Sequence, residues 1–390
     1  MISFENTKIA FGRKSSKDLK RAYWLFKIVA NPTIVKFGKW ATPIALKLHF
    51  PIKGLIKKTI FQQFCGGESI HESLNTSNEL AQSNIKTILD YSIEGKTSED
   101  DFDKTVEEII ATIQEGRNNI NIPFAVFKVT GICRFDLLEK SNKSIDNLNE
   151  EDKVHYSKLT ERIDLICKAA FECSVPVFID GEESWIQDGI DLIAQQMSIK
   201  YNTKKAIIFN TIQMYRHDRL NFLTKEIEHA KTNSYILGVK IVRGAYMEKE
   251  RKRANDLGYP SPIQVNKAAS DNDYNRALEL SLQNINHVSI CAGTHNEQSS
   301  LFLTELLERY NLSKDDSRVY FAQLLGMSDH ISFNLAHHGY LVAKYVPYGP
   351  IKEVMPYLLR RADENTSVAG QTSRELSLIV KEIERRKSNK

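Results

Sequence analysis

The chain has 390 residues, of which 42% are hydrophobic and 26% are charged. These values are those of an ordinary globular protein and exclude a disordered chain. The sequence contains no run of about 18 apolar residues, so no membrane-spanning helix is predicted. The five cysteines are odd in number and have no CxxC spacing, which argues against a disulfide framework or a zinc site and favours a reducing compartment. The first residues have no apolar core and carry Glu5 early, so we expect neither a signal peptide nor a transit peptide.

The net charge of +4 is unevenly distributed along the chain. Residues 8–58 contain thirteen Lys or Arg residues and one acid, Asp18, which is a net charge of +12. All other residues together therefore carry a net charge of −8. A basic segment on an acidic body indicates an anionic partner for that segment, either a membrane surface or a nucleic acid.

The first predicted part is a basic helical arm over residues 1–66, followed by a larger domain over residues 67–390. Proline residues cut the arm into short helices, because proline cannot continue a helix. The last of these helices places five apolar residues on one face beside three lysines, a pattern typical of a helix lying in a membrane interface. The apolar residues are Leu55, Ile56, Ile60, Phe61 and Phe64. The same pattern fits a cationic helix packed on the protein's own body, and it favours neither alternative.

Two segments after the arm predict helices, ILDYSIEG (88–95) and TVEEIIATIQ (105–114). Short apolar runs rich in β-branched and aromatic residues then recur, and each predicts a buried strand. These runs are FAVFKVT (124–130), VPVFID (175–180), AIIFNTI (206–212), YILGVKIV (235–242), VSICAGT (288–294), VYFAQLL (319–325) and LVAKYVP (341–347). Charged segments of helical period lie between them, such as LTERIDLICKAAFE (159–172) and LFLTELLERY (301–310). The charged stretch 139–160 predicts a helix and loop on the surface.

The alternation of buried strands and helices predicts an α/β fold with a parallel sheet covered on both faces. Seven units, with SVAG (367–370) as a weak candidate for the eighth strand, favour a closed (β/α)₈ TIM-like barrel with an N-terminal helical extension. The alternative is a doubly wound open sheet, but no GxGxxG motif follows any of these strands.

Polar or charged residues stand where the predicted strands end, which is where barrels of this type carry their functional groups. They are Lys128, Asp180, Gln213, Arg243, Thr294, His295, Gln323 and Tyr345. Each alone has an ordinary structural explanation, such as a turn at Asp180 or a helix cap at Thr294. Their recurrence on strand after strand favours a functional site. No P-loop or HExxH motif is present, so an organic cofactor is expected there and no metal.

The segment PIKEVMPYLLRRADEN (350–365) predicts a helix with two distinct faces. One face is an apolar stripe that packs on the body. The other carries Tyr357, Arg360, Arg361 and Glu364. Two guanidiniums suit a small carboxylate, and a tyrosine one turn earlier suits the apolar part of the same ligand. Taken alone, this second face fits a solvated surface better.

Several motifs resemble those of the proline dehydrogenase family, an FAD-dependent family of barrel enzymes. They are KIVRGAYMEKER (240–251), FAQLLGMSDHISF (321–333) and KYVPYGPIKEVMPYLLRRADEN (344–365), with ILDYSIEG, FKVTGICRF, FIDGEES and FNTIQMY in the same order. The third motif is the most specific, and it is more similar to the stand-alone mitochondrial form than to the bifunctional bacterial form. The resemblance covers residues 68 to 386 and does not account for the basic arm.

The resemblance implies roles for individual residues. The implied grips on the proline carboxylate are Lys128, Arg360 and Arg361, and the implied lining of the pyrrolidine ring is Leu324, Tyr345 and Tyr357. Asp180 and Tyr246 are implied as a coupled pair beneath the ring. Lys240 stands where many bacterial members have Arg near the reactive flavin nitrogen. The implied FAD contacts are Gly181, Gln213, Arg243, Gly244, Ala245, Thr294, His295, Gln323 and Glu364.

The implied reaction is oxidation of L-proline to Δ1-pyrroline-5-carboxylate by hydride transfer to FAD, with a membrane quinone as the electron acceptor. Combined with the basic arm, it predicts a cytoplasmic protein bound peripherally to the inner face of the cytoplasmic membrane, through anionic lipid and without nucleic acid. Hydroxyproline dehydrogenase is the first alternative. A smaller residue replaces the ring-facing tyrosine in that branch, so Tyr357 favours proline. A second alternative is another FAD barrel, such as a folate reductase, which would not carry this double-arginine helix. A basic membrane- or nucleic-acid-binding protein without enzymatic activity is the last alternative.

Overall fold

Eight parallel strands, in the order β1 to β8, close into a barrel in the computed structural model of the chain. The structure describes residues 2–31, 33, 53–93, 97–367 and 371–389. The strands are β1 (Ile85–Tyr91), β2 (Phe124–Phe127), β3 (Val177–Ile179), β4 (Ile208–Gln213), β5 (Leu237–Val242), β6 (Val288–Gly293), β7 (Val319–Leu324) and β8 (Val342–Tyr348). The predicted (β/α)₈ barrel is therefore confirmed.

The eighth strand is not where the sequence pattern placed it. SVAG was expected to form a strand, but Ser367 is the last residue of a helix, and residues 368–370 lie outside the described ranges. The missing strand is Ile85–Tyr91, which pairs in parallel with β8 over seven residues. The predicted helix is wrong over residues 88–91, where Ile88 and Leu89, with Ile85 and Thr87 before them, are β-branched or apolar and fully buried, as a parallel strand covered on both faces requires. Residues 94 and 95 of that prediction lie outside the described ranges.

The helices alternate with the strands. They are α1 (Thr7–Phe11), α2 (Ser16–Val29), α3 (Lys53–Ile56, continuing as a π-helix over Lys57–Phe61 and as an α-helix over Gln62–Phe64), α4 (Ile70–Ala81), α5 (Glu99–Asn118), α6 (Phe135–Lys143), α7 (Glu150–Cys173), α8 (Ser184–Tyr201), α9 (Arg219–Thr232), α10 (Met247–Leu257), α11 (Lys267–Gln283), α12 (Glu297–Arg309), α13 (Asp329–His337), α14 (Ile351–Ser367) and α15 (Gln371–Ser388). The helices predicted over 105–114, 159–172, 301–310 and 350–365 are confirmed. Over the described part of the chain, no helix is both long and apolar enough to cross a bilayer.

The chain divides into two compact units, residues 95–322 and residues 1–94 with 323–390. The first unit contains β2 to β6 and most of β7, and we call it the central unit. The second contains β1, the end of β7, β8 and the terminal helices, and we call it the terminal unit. This division differs from the predicted one into an arm over residues 1–66 and a domain over residues 67–390, which stays a prediction.

Aromatic side chains fill the barrel interior near the amino ends of the strands of the central unit. Phe124 stacks on Phe178 at a ring-centre distance of 4.6 Å and makes edge contacts with Phe209 at 5.7 Å and Tyr320 at 4.8 Å. These four residues come from β2, β3, β4 and β7. This packed aromatic layer lies at the opposite end of the strands from their carboxyl ends, where barrels of this type carry their functional groups.

The described helices of the predicted arm pack inside the terminal unit. Leu19 and Phe26 of α2 and Phe61 of α3 are buried together with Val354 and Leu358 of α14. The apolar face predicted to lie in a membrane interface is thus largely covered by the protein: Ile56, Phe61 and Phe64 are buried, and Ile60 is partly buried. This arrangement agrees with the alternative of a cationic helix packed on the body. The side chain of Leu55 lies outside the described part.

A buried ion network also ties the amino-terminal segment to β8. Asp329 lies 3.0 Å from the ammonium of Lys344, whose side chain is fully buried, and 2.8 Å from the ammonium of Lys14. Burial opposes the ionisation of Asp329, but the two lysines outweigh it and hold the pKa of this carboxyl well below its ordinary value. The pKa of Lys344 is lowered by its burial, which Asp329 only partly offsets.

Candidate active site

Most of the predicted site residues lie at or after the carboxyl ends of the barrel strands or on α14, whereas Lys240 and Tyr345 lie inside β5 and β8. Eleven belong to the central unit: Lys128, Asp180, Gly181, Gln213, Lys240, Arg243, Gly244, Ala245, Tyr246, Thr294 and His295. Seven belong to the terminal unit: Gln323, Leu324, Tyr345, Tyr357, Arg360, Arg361 and Glu364.

In the central unit, a buried ion pair joins β5 to the residue that follows β3. Lys240 on β5 donates from its ammonium to Asp180, the residue that follows β3. Their side chains are only 6% and 14% exposed, and a buried charge must be paired to be tolerated. The Lys240 ammonium also lies 5.5 Å from the centre of the Phe178 ring. The sequence indicated both residues but did not indicate that they pair with one another.

The side chain of Gln213, the last residue of β4, lies against the backbone that follows Asp180. Its side-chain nitrogen donates to the carbonyl oxygen of Glu182 over 2.7 Å. A Cβ atom added to Gly181 would lie 3.1 Å from three atoms of the Gln213 side chain. Gly181 therefore makes room for this amide.

Glu182 is buried near these residues, and its sequence context did not predict a role for it. Its carboxylate accepts hydrogen bonds from the backbone N–H and the hydroxyl of Thr130. Burial raises the pKa of Glu182 to about 7, and the bonds from Thr130 and the charge of Lys128 offset only part of that effect. Lys128 follows β2 and is half-buried. The only sequence signal for Glu182 was its place two residues after Asp180.

A third group of residues surrounds Arg243, which follows β5. Its guanidinium donates to Asp271 over 2.6 Å, to the Thr294 hydroxyl over 2.7 Å and to the Ser299 hydroxyl over 2.9 Å, and it lies 4.3 Å from the centre of the Tyr274 ring. Burial disfavours the ionised form of Asp271, but hydrogen bonds from Lys267 and Arg243 outweigh it and lower its pKa. Arg243 is therefore held in one position by residues from α11 and α12.

The backbone after Arg243 is exposed at Gly244 and Ala245, while Tyr246 is half-buried and precedes α10. Gly244 has a φ of +129°, and a Cβ atom there would lie 2.5 Å from the ring of Tyr215. Glycine is therefore required by both the conformation and the space. Beyond β6, the backbone N–H of Thr294 donates to the Ala322 carbonyl oxygen over 3.0 Å, and His295 is half-buried beside it.

In the terminal unit, helix α14 carries the tyrosine and the two arginines. Tyr357 is buried in the apolar cluster that also contains Leu358 and touches Leu324. The guanidinium of Arg361 lies 5.1 Å from the centre of the Tyr357 ring and is 7% exposed, whereas Arg360 is half-buried. The sequence pattern alone favoured a solvated surface for this face of α14. Tyr357 and Arg361 are buried, so that interpretation is wrong for these two residues. The side chain of Glu364 lies outside the described part.

The remaining residues of the terminal unit lie on β7 and β8. The side-chain oxygen of Gln323 accepts a hydrogen bond from the Ser332 hydroxyl over 2.8 Å. Tyr345 lies beside Ile88 in the ladder between β8 and β1, and its carbonyl oxygen accepts from the N–H of Leu325 over 2.8 Å. Gln323 and Tyr345 are buried and Leu324 is half-buried.

The donors of the central unit suit an anionic ligand rich in hydrogen-bond acceptors. Gln213 on β4 carries an amide and Lys240 on β5 carries an ammonium. Arg243, just after β5, carries a guanidinium, and Thr294, just after β6, carries a hydroxyl. The exposed backbone at Gly244 and Ala245 adds a surface without bulky side chains. FAD, with its diphosphate and its ring carbonyls, is such a ligand, so these residues fit the cofactor that the resemblance implies.

Comparison with known proteins places the chain in a family. The model of the proline dehydrogenase family matches residues 73–374. "Proline dehydrogenase 1, mitochondrial" of Dictyostelium discoideum is 34% identical over 384 residues, which is 87% of this chain and 67% of that protein. "Hydroxyproline dehydrogenase" of Xenopus laevis is 28% identical over 424 residues, covering 100% of this chain and 91% of that protein.

The fold is also found among solved structures of other proteins. Proline utilization A from Bdellovibrio bacteriovorus, inactivated by N-propargylglycine, superimposes with a TM-score of 0.72 and 21% sequence identity. The match covers 94% of this chain but only 37% of the other. The chain thus spans about a third of the length of that protein.

Proposed function

We propose that this chain, which belongs to the proline dehydrogenase family, oxidises L-proline to Δ1-pyrroline-5-carboxylate with FAD as its cofactor. The observation that carries the proposal is the presence of two cationic residue sets within the matched range. One set lies on β5 and directly after it in the central unit, with Lys240 and Arg243, and the other lies on α14, with Arg360 and Arg361.

In this proposal the basic side chains bind the substrate carboxylate. Arg360, Arg361 and Lys128 donate charge-assisted hydrogen bonds to it, because guanidiniums and ammoniums are the strongest donors to a carboxylate. Leu324, Tyr345 and Tyr357 cover the apolar pyrrolidine ring. Holding both ends of a small substrate fixes its reactive C–H bond, and such orientation supplies much of the rate of an enzyme.

FAD, when bound, supplies the acceptor for the hydride that leaves C5 of proline. The substrate nitrogen must be neutral at that moment, because its lone pair forms the new C=N bond. Lys240 places an ammonium on β5, and its pairing with Asp180 lets that charge be buried. We assign Lys240, Asp180 and Tyr246 to the catalytic group, with Lys240 stabilising negative charge as it develops.

The cofactor contacts in this proposal are Gly181, Gln213, Arg243, Gly244, Ala245, Thr294, His295, Gln323 and Glu364. Arg243 is the strongest candidate for the diphosphate, because its guanidinium is fixed before any ligand arrives by Asp271 and Ser299. Gly244 and Ala245 offer backbone donors at an exposed position.

We further propose that the electrons pass to a membrane quinone and that the protein is cytoplasmic and binds peripherally to the inner face of the cytoplasmic membrane. The support is the excess of basic residues over positions 8–58, a net charge of +12. Anionic lipid attracts such a segment with about 1 kcal/mol for each Lys or Arg near the surface. Nucleic acid is not part of this proposal.

Hydroxyproline is the second candidate substrate, and a specific observation favours it. The Xenopus laevis hydroxyproline dehydrogenase matches this chain over its whole length. The buried Tyr357 argues for proline, because a bulky side chain against the ring leaves less room for a ring hydroxyl. The test is the ratio of kcat/KM for L-proline to that for trans-4-hydroxy-L-proline with a soluble dye. A ratio well above one supports proline, and a ratio below one assigns the chain to hydroxyproline.

A further inference from the structure

Helix α2 has one face that packs into the terminal unit. Leu19, Ala22, Phe26 and Val29 recur at spacings of three and four residues and are at most 4% exposed. They point to the same side of the helix, because an α-helix has 3.6 residues per turn. The Phe26 ring makes an edge contact with Phe64 of α3 at 6.4 Å. This contact and the buried row fix how the helix is rotated.

The opposite face of α2 is exposed, and it combines lysines with two large apolar side chains. Trp24 and Ile28, one turn apart, are 58% and 46% exposed. Lys17, Lys20 and Lys27 lie on the same side and are exposed. The one acid of the helix, Asp18, lies away from this stripe and pairs with Arg21 at 3.1 Å. An ordinary solvent-facing stripe mixes charges of both signs and does not expose a tryptophan beside an isoleucine.

One contact lies within this exposed stripe, and a groove continues it toward α15. The ammonium of Lys27 lies 5.1 Å from the centre of the Trp24 ring, so a cation covers an apolar body. At the start of the helix, Lys20 and Lys387 line a groove of about 220 Å³ between α2 and α15, with Leu19 and Ile383 as its apolar part. We call the exposed set of Lys17, Lys20, Trp24, Lys27, Ile28 and Lys387 the basic face.

We propose that the basic face docks on a bilayer that contains anionic phospholipid, with α2 lying in the plane of the interface. This proposal rests on the proposed function of electron transfer to a membrane quinone, and it names the surface that makes the contact. Lysines reach the lipid phosphates while Trp24 and Ile28 enter the boundary of the acyl chains. The helix of 14 residues is about 21 Å long, enough to present the whole stripe at once.

A bilayer fits the basic face better than a nucleic acid does. The lysines would attract either polyanion, but a duplex offers no apolar phase to Ile28 and Trp24. The face first expected to meet the membrane, on α3, is largely buried in the protein's own core. The contact is therefore assigned to α2.

The test uses the full-length protein and sedimentation with vesicles of phosphatidylcholine, with or without phosphatidylglycerol. The wild type is expected to bind only the vesicles with phosphatidylglycerol, less tightly as salt rises, because salt screens exposed charges beyond about 8 Å. The variant K17E/K20E/K27E is expected to lose roughly 100-fold in partitioning, about fivefold for each lysine removed. The matched control is K104E/K204E/K225E, which makes the same charge change at exposed positions of the central unit and is expected to bind nearly as the wild type does.

A second variant tests the apolar part of the contact. W24Q/I28Q keeps every charge and is expected to weaken vesicle binding at low salt, while the control V265Q, at a position 87% exposed, is not. Trp24 emission is expected to shift to shorter wavelength on vesicles with phosphatidylglycerol. Equal binding by the wild type and both α2 variants would overturn the proposal, as would binding of duplex DNA in place of vesicles.

Dye-linked oxidation of L-proline by the same proteins separates this proposal from the proposed function. The α2 variants are expected to keep it, because α2 carries none of the proposed site residues. A wild type that binds vesicles but does not oxidise proline would contradict the proposed function and leave the docking surface standing. A wild type that oxidises proline but ignores vesicles would contradict the docking surface alone.

Discussion

The guanidinium of Arg361 lies 5.1 Å from the centre of the Tyr357 ring, which stands one turn earlier on the same helix. Both side chains are buried, at 7% and 5% exposure. The aromatic face favours a cation at this distance, so the ring fixes the guanidinium before any substrate is bound. In the proposed function, Arg361 of this pair binds the substrate carboxylate and Tyr357 covers the apolar ring of the substrate.

Replacing Arg361 with alanine is expected to reduce kcat/KM for L-proline by roughly 10- to 100-fold, mainly through KM. The variant loses a charge-assisted hydrogen bond to the carboxylate, worth about 1.5–3 kcal/mol. Steady-state kinetics with a soluble dye measures the effect, and the flavin content is expected to stay that of the wild type. Lys352→Ala, at an exposed position of the same helix, is the control. Unchanged kinetics in Arg361→Ala would show that α14 does not bind the substrate.

Replacing Tyr357 with serine is expected to change which substrate is preferred. A smaller residue removes the contact with the proline ring and makes room for a ring hydroxyl. The ratio of kcat/KM for trans-4-hydroxy-L-proline to that for L-proline should therefore rise by at least about tenfold, which corresponds to about 1.4 kcal/mol of differential binding. Tyr310→Ser, just after α12, should leave the ratio as it is. A ratio that stays constant in Tyr357→Ser would remove this residue from the determinants of specificity.

Replacing Asp271 with alanine is expected to weaken FAD binding by about tenfold, although Asp271 is not proposed to touch FAD. Arg243 would lose its 2.6 Å hydrogen bond and with it part of the fixed position of its guanidinium. Titration of FAD into the flavin-free protein, followed by the quenching of flavin fluorescence, gives the dissociation constant. Asp271→Asn, which keeps an acceptor, should restore part of the affinity.

Glu279→Ala is the matched control for Asp271, because it removes a carboxylate of the same helix that pairs with Arg309 at 2.8 Å on the surface. Its FAD affinity should equal that of the wild type. If both variants bind FAD as the wild type does, Arg243 does not need Asp271 for this role.

Replacing Glu182 with glutamine is expected to change how stability depends on pH. Burial raises the pKa of Glu182 from 4.5 to about 7, so the folded state keeps a proton that the unfolded state releases over this range. The free energy of unfolding of the wild type therefore falls as pH rises from 4.5 to about 7, by roughly 3 kcal/mol from this group. Glutamine carries no such charge and can still bond to both Thr130 groups.

The measurement is urea denaturation of wild type and Glu182→Gln at several pH values. The variant should gain stability over the wild type as pH rises and lose that advantage near pH 4.5. Glu161→Gln, at an exposed position, should show a difference that does not vary with pH. A pH-independent difference for Glu182→Gln would mean that Glu182 is ionised in the folded protein at no cost.

Most of the fold could be predicted from local sequence patterns, because most of the buried strands are short apolar runs that stand out from the charged segments around them. It failed at Ile85–Tyr91, where Lys86 and Asp90 interrupt the run and only the pairing with β8 shows a strand. The residues at the strand ends were visible because they are polar where a packed barrel would be apolar. The pairing of Arg243 with Asp271 could not be predicted, since Asp271 lies on a separate helix 28 residues further along the chain. Burial decides the chemistry of Glu182, and no local pattern reports it.

The most direct test of the account is the visible spectrum of the purified protein, reconstituted with FAD, during anaerobic addition of L-proline. The protein is expected to show a flavin absorption band that bleaches on addition of L-proline and returns when a dye or oxygen is admitted. The Arg361→Ala protein should show the same band but need far more proline to bleach it. A protein that binds no FAD, or one that binds FAD and keeps its full colour in excess L-proline, would contradict the central claim.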